Sequence, residues 1–395
     1  MQQTAEFLIT IGGILLLALA TDFLGKHTVL PRVSLLLIFG IIIGDDALAL
    51  VPESVSGRFD LITILALLMV GFLLGGRLTL QSLRKDGRQV IWISAFAVLS
   101  TCLLVITALT AINVPLELAI LLGCIATATA PVATLDTVLE SGSKSKFSQL
   151  LLAIVALDDA WALLLFSLGL ALVALLSGMD GVVTPLYDTG WKILGSILLG
   201  VIIGLPAAYM TGRLKPGQPM LTEALGLVFV CGGAAIWLGV SFIIAAMTMG
   251  AVIANLARHH DYPFHEIESI EWPFMALFFI LAGASLEIST LAAMGAVGIV
   301  YIFARVMGKI LGAWIGAYAS NANNEIRQWM GVALLPQAGV AIGMALLAAD
   351  RFPEYEQTIL SIVISTTVVF ELFGPVFTRI AISLASRSEK DGSTK

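Results

Sequence analysis

Asp158 and Asp159 stand side by side in an otherwise apolar run of about residues 147–176. That run is long enough to cross a bilayer as a tilted helix at ~1.5 Å per residue. The pair lies near the run's middle, where each carboxylate costs on the order of 2.5–3.5 kcal/mol to insert. Two acids at that depth point to ion handling rather than to packing. A second run, VGIVYIFARVMGKILGAWIGAYA, carries Arg305 and Lys309, four apart and so on one helix face. Lys309 lies near the middle of its run, and an ammonium there needs a carboxylate partner. The obvious partners at that depth are Asp158 and Asp159. Adjacent helical residues point about 100° apart, so one aspartate can face the lysine while the other faces an aqueous cavity. Two neighbouring carboxylates in low dielectric do not both ionise readily. A proton and a small hard cation would therefore compete for the same oxygens. Glu371, in VVFELFGPVF, is deep in the last run. It reads as a second relay acid or as a structural partner of Arg305, with the structural role favoured. His259, His260 and His265 fall in ARHHDYPFHEIESIEW, which reads as a solvated loop.

These residues need a membrane scaffold, and the composition supplies one. The chain has 395 residues, 58% of them hydrophobic and only 12% charged, where a soluble domain carries about 25% charged residues. No basic patch suggests nucleic acid. Cys102, Cys124 and Cys231 lie in apolar stretches without ligand spacing and read as small reduced core residues. The first apolar run lacks a basic leader and a small-residue cleavage site, so it reads as a membrane helix. The apolar runs and their polar breaks predict thirteen spans, at about 5–21, 29–44, 60–76, 88–112, 117–135, 147–176, 190–210, 220–237, 241–257, 272–287, 292–319, 330–349 and 357–382. With the N-terminus outside, inner loops and tail hold sixteen Lys and Arg against three outside; Arg305 and Lys309 complete the 21. The positive-inside rule then sets the N-terminus outside and the C-terminus in the cytoplasm.

The fifth span contains ATATAPVATLDT and the twelfth LLPQAGVAIGMA, interrupted by Pro131 and by Pro336 with flanking glycines. The two breaks are seven spans apart. Spans 1–6 (about 5–176) and 8–13 (about 220–382) thus read as two inverted six-helix repeats joined by a span at about 190–210. Interrupted helices at matching positions of inverted halves are the best sequence pointer to a transporter's binding site.

At this point the chain resembles the monovalent cation:proton antiporter superfamily, in the branch of NapA-type sodium/proton antiporters and the membrane parts of Kef-type systems. TATAPVA resembles the family's unwound fifth helix, LDD its aspartate pair and RVMGK its lysine helix. LPRVSLLLIFGIIIGDDALALVP and LLMVGFLLGGRLTL resemble the second and third spans, although Asp45 and Arg77 depart from the usual endings. The resemblance covers nearly the whole chain and implies an all-α polytopic NhaA/NapA-like fold forming one antiporter domain and a homodimer. It implies that Asp159 binds Na⁺ with Asp158 beside it, that Asp158 pairs with Lys309, and that Thr127 and Thr129 lie next to them. It further implies electrogenic exchange by alternating access in an inner membrane, with no cofactor. The last residues, SRSEKDGSTK, carry no nucleotide-binding domain, so Kef-type ligand gating is not expected.

Two other classes fit less well. An intramembrane aspartyl protease needs its two acids on different helices, and a channel needs a filter segment or charged ring. The serious alternative is a proton-coupled carrier for an anion or organic solute on the same inverted-repeat scaffold, whose site would be dominated by cationic side chains. K⁺ and Li⁺ stay open beside Na⁺.

Overall fold

In lipid every backbone polar group must be bonded internally, so apolar runs of this length have helix as their solution. The computed structural model describes residues 2–392 except 28–29, 45–46, 53–54, 56, 144, 177–182, 212–219, 258–260, 286–294 and 338. Among them, eight helices are long and apolar enough to cross a membrane, and five apolar helices are shorter.

The chain divides into two compact units, one of Met1–Lys85 with Gly190–Leu286 and one of Asp86–Thr189 with Glu287–Lys395. The first unit contains α1 (Gln2–His27), α2 (Arg32–Ile43), α3 (Phe59–Arg77), most of α8 (Val183–Thr211), α9 (Met220–Trp237), α10 (Phe242–Leu256) and α11 (Asp261–Ala284). Its main packing pairs are α3 with α10 and α2 with α11. The second pair touches backbone to backbone, since a Cβ on Gly40 would fall 2.2 Å from the Ile280 carbonyl oxygen.

The second unit holds α4 (Leu80–Ala111, from Asp86 onward), α5 (Leu116–Ile125), α6 (Pro131–Ser141), α7 (Lys146–Leu176), α12 (Gly295–Ala319), α13 (Asn324–Ala333), α14 (Gly339–Arg351) and α15 (Glu356–Gly392). Gly308, Gly312 and Gly316 form a stripe along α12 that lies directly on α4. A Cβ at these positions would meet Thr101 Cα at 2.5 Å, Phe96 O at 2.3 Å and Trp92 O at 2.5 Å. This small-residue seam lets two backbones approach where no hydrophobic effect drives them together. Arg88 Nη2 donates to Ala319 O at 3.2 Å and so caps the C-terminus of α12.

Among the described residues the apolar helices fall on the expected runs, but several bounds differ. The fifth run is longer than expected: α5 ends at Ile125, residues 126–130 are non-helical, and α6 continues to Ser141. Pro131 is the first residue of α6, where a missing N–H leaves no bond unmade; the break therefore precedes the proline. The twelfth run begins earlier, because α13 starts at Asn324, and residues 334–337 are its break. The expected loop before the tenth run is helical from Asp261. His265 lies on it, exposed, 3.8 Å from Glu268 one turn on; His259 and His260 lie outside the described residues.

Candidate functional site

The two breaks cross in the second unit. Ala130 N donates to Pro336 O at 2.9 Å, joining the unwound stretch of the α5–α6 pair to that of α13–α14. Unwinding strips several carbonyls of their helical partners, and in a membrane they need other donors. Arg305, fully buried on α12, supplies them. Its Nε donates to Ala126 O at 3.0 Å and its Nη1 to Leu335 O at 2.7 Å. Its Nη2 donates to Ala128 O at 2.8 Å and, more weakly, to Pro336 O at 3.4 Å. The α5 and α13 C-termini, the negative ends of two helix dipoles, thus share one guanidinium. The Phe370 ring lies against its other side, 4.1 Å from the guanidinium carbon.

The expected pairing of Arg305 with Glu371 does not form. The guanidinium fork is taken up by the half-helix ends, and Glu371, 7% exposed on α15, makes no ion pair with any described residue. Sequence reasoning missed this use of Arg305. The signal was available, because two breaks create carbonyls that call for a multidentate donor at the same depth.

One helical turn after Arg305, Lys309 is also fully buried. Its Nζ donates to Asp158 Oδ2 at 3.0 Å and to Thr129 Oγ1 at 2.7 Å. The Thr129 hydroxyl in turn donates to the same Asp158 oxygen at 2.6 Å, closing a three-membered polar cluster. Thr129 can reach this position because its backbone is non-helical. Thr127 is on the same stretch, but its hydroxyl donates to Cys124 O at 2.7 Å and so closes the end of α5 instead.

Asp158 is fully buried and Asp159 is 7% exposed. Among the described residues Asp159 has no hydrogen-bonding partner, and Oδ1 of each aspartate is buried without one. The neighbours are therefore unlike. Asp158 is committed to Lys309 and Thr129, whereas Asp159 offers free carboxylate oxygen at the same depth. Oxygen-only donors of this kind suit a hard cation or a proton. Cys102 and Cys124, expected as small reduced core residues, bring their sulfurs to 3.8 Å of each other in the apolar core as free thiols.

The sequence profile described as sodium/hydrogen exchanger, transmembrane, matches residues 11–382. The chain belongs to this family. It is thus a multi-pass membrane antiporter of the monovalent cation:proton superfamily, as its aspartate pair and broken helices led us to expect. Among its relatives is the ammonium/H⁺ antiporter subunit AmhT of Alkalihalophilus pseudofirmus, 22% identical over 88% of each chain. The glutathione-regulated potassium-efflux protein KefC of Cronobacter sakazakii is 25% identical over 59% of this chain and 38% of its own length. The antiporter therefore spans well under half of that relative. The sodium/proton antiporter MjNhaP1 of Methanocaldococcus jannaschii shares the fold, with a TM-score of 0.69 at 18% identity, covering 98% of this chain and 97% of that one.

Proposed function

We propose that this antiporter exchanges a monovalent cation, Na⁺ in the first instance, for protons at Asp159 and Asp158. The observation that carries the reading is the difference between the two acids. Lys309 and Thr129 hold Asp158, while Asp159 keeps oxygen free at the same depth. Cation and proton compete for that oxygen, so binding one releases the other. In this reading Asp158 leaves Lys309 as it is recruited to the cation. An ammonium left without its counter-charge gives up a proton, so more than one proton moves per cation and the exchange is electrogenic. Thr129, and the backbone carbonyls of residues 126–130 that Arg305 leaves free, are the candidates to complete the cation's oxygen shell.

Alternating access rests on the inverted-repeat reading, which the packing supports within each unit. α3 pairs with α10 as α11 pairs with α2, and α7 lies on α5 and α6 as α15 lies on α13 and α14. Each pairing maps onto the other by the same step of seven spans. The remaining parts of the reading are a homodimer in the cell's inner membrane with its N-terminus outside and its C-terminus in the cytoplasm. K⁺ and ammonium stand beside Na⁺ as cargo, since relatives are named for them. A carrier for anions fits poorly, because the site offers free carboxylate oxygen and its cations are already engaged. The deciding experiment is proteoliposome transport under an imposed pH gradient with Na⁺, K⁺, Li⁺ and ammonium added in turn. Cation-dependent collapse of the gradient is expected, and no response to any of the four would overturn the proposal.

A further inference from the structure

The second break has its own set of unpartnered polar side chains. Glu371 is 93% buried (7% exposed) on α15, and among the described residues it has neither a hydrogen bond nor an ion pair. One turn earlier on the same helix, Thr367 is fully buried and its Oγ1 has no partner. On the break itself Gln337 is fully buried, and its Oε1 is likewise unpartnered. The Gln337 amide nitrogen makes only long contacts of 3.5 Å, to Ile125 O and to the Tyr301 hydroxyl.

The spacing of contacts along α15 sets Glu371 beside the second break. Thr378 Oγ1 donates to Ala333 O at 3.0 Å, and a Cβ on Gly374 would fall 2.6 Å from Pro336 Cα. Residues 367, 371, 374 and 378 share one helix face. Because 374 and 378 lie against residues 336 and 333, Glu371 falls level with the next residues of the break, beginning at Gln337.

Among the described residues no cation pairs with Glu371. On α12, Arg305 is bound to carbonyls and Lys309 to Asp158 and Thr129. On α15 itself, Arg379 lies 3.5 Å from Glu140 of α6. The other charged groups described on elements packed against α15 are Glu117 on α5, Asp136 on α6, Lys146 and the aspartate pair on α7, Glu325 and Arg327 on α13, Arg351 at the end of α14 and Glu354 in the short turn Pro353–Tyr355; Lys146 is held by Asp86, and none pairs with Glu371. A bare carboxylate in such surroundings costs several kcal/mol, and carrying a proton removes that cost.

We propose that Glu371, with Thr367 and Gln337, is a second proton-binding site of the antiporter, located at the α13–α14 break and distinct from the cation site. The proposal rests on the antiporter reading given above. A proton fits this set better than a second metal cation for two reasons. There is one carboxyl, which a proton neutralises outright. Its two companions, Thr367 and Gln337, are neutral and leave fewer oxygens than a hard cation's shell requires. When the acid releases its proton to water, the remaining carboxylate can accept the Thr367 hydroxyl. Proton binding here does not compete with the cation at Asp159, so pH acts on the cycle at two places.

The test is infrared difference spectroscopy between acid and alkaline pH on the purified full-length protein in lipid, together with proteoliposome exchange measured across the same pH range. Wild type and Asp159→Asn should both lose a protonated-carboxyl C=O band on alkalinisation that Glu371→Gln lacks. Glu371→Gln should still show cation-dependent exchange, but with a shallower dependence on pH. Glu371→Asp, which keeps an acid, should restore both, and covers the case in which the glutamine variant does not fold. An unchanged band and an unchanged pH profile in Glu371→Gln would overturn the second site while leaving the cation site standing. Failure of the wild type to exchange any cation would instead overturn the antiporter reading, and the infrared band would still report on Glu371.

Discussion

The Lys309–Asp158 contact makes a prediction whose size follows from its surroundings. Both side chains are fully buried, the ions are 3.0 Å apart, and Thr129 bridges them. Lys309→Met leaves Asp158 with one hydroxyl for a partner, because its Oδ1 already has none. Removing one member of a buried ion pair costs ~3–5 kcal/mol, since it strands the other charge. With an unfolding entropy of about 2.1 cal/mol/K per residue, the 395-residue chain loses about 0.8 kcal/mol of stability per degree. The single variant should therefore melt roughly 4–6 °C below wild type, and Asp158→Asn should fall by a similar amount. The informative molecule is the double variant Lys309→Met/Asp158→Asn. It strands no charge and fills nearly the same volume, so it should melt above either single variant although it cannot exchange. The assay is thermal unfolding of the detergent-solubilised protein, evaluated as a double-mutant cycle. Additive losses in the double variant, or an unchanged melting temperature in Lys309→Met, would refute the claim that these two charges hold each other.

Asp159→Asn removes the free carboxylate but no protein contact, so cation-driven proton movement in proteoliposomes should vanish while the melting temperature stays near wild type; retained exchange would displace Asp159 from the binding role. Arg305→Gln strips the half-helix ends of most of their donors. Each carbonyl left buried and unbonded costs ~1–3 kcal/mol, so this variant should melt at least as low as Lys309→Met. Arg305→Lys keeps the charge but not the fork and should fall in between. Equal melting of all three Arg305 forms would contradict the bonding seen at the breaks. Gly312→Val places a Cβ 2.3 Å from Phe96 O and 2.7 Å from Ala97 Cα, forcing α4 and α12 apart. Overpacking of this kind costs ~1–3 kcal/mol or more, and because Lys309 rides on α12, exchange should weaken along with thermal stability; a variant that melts and exchanges like wild type would refute the close approach of α4 and α12.

Much of the site was legible because a bilayer makes charges conspicuous. Asp158, Asp159, Arg305 and Lys309 stood out against apolar runs, and the breaks at Pro131 and Pro336 announced themselves through residues that cannot continue a helix. What could not be read was which donor answers which acceptor. Arg305 and Glu371 lie at compatible depth, and pairing them was reasonable from charge alone. The observed partners of Arg305 are backbone carbonyls, which carry no sequence signal and come within reach only where two breaks cross. Thr127 and Thr129 look equivalent two residues apart, yet one closes the end of α5 and the other bridges Lys309 to Asp158. The unwound backbone decides that difference.

The amino-acid sequence alone determined the membrane class, the placing of the helices and the residues that must bear charge in the bilayer, because burial costs and backbone hydrogen bonding in lipid act locally along the chain. Only the tertiary structure decided which aspartate is held by Lys309, that Arg305 serves two helix ends rather than an acid, and that Glu371 is left without a counter-charge. Those outcomes depend on contacts between segments up to 180 positions apart, set by how closely glycine-lined helices approach and where two unwound stretches meet.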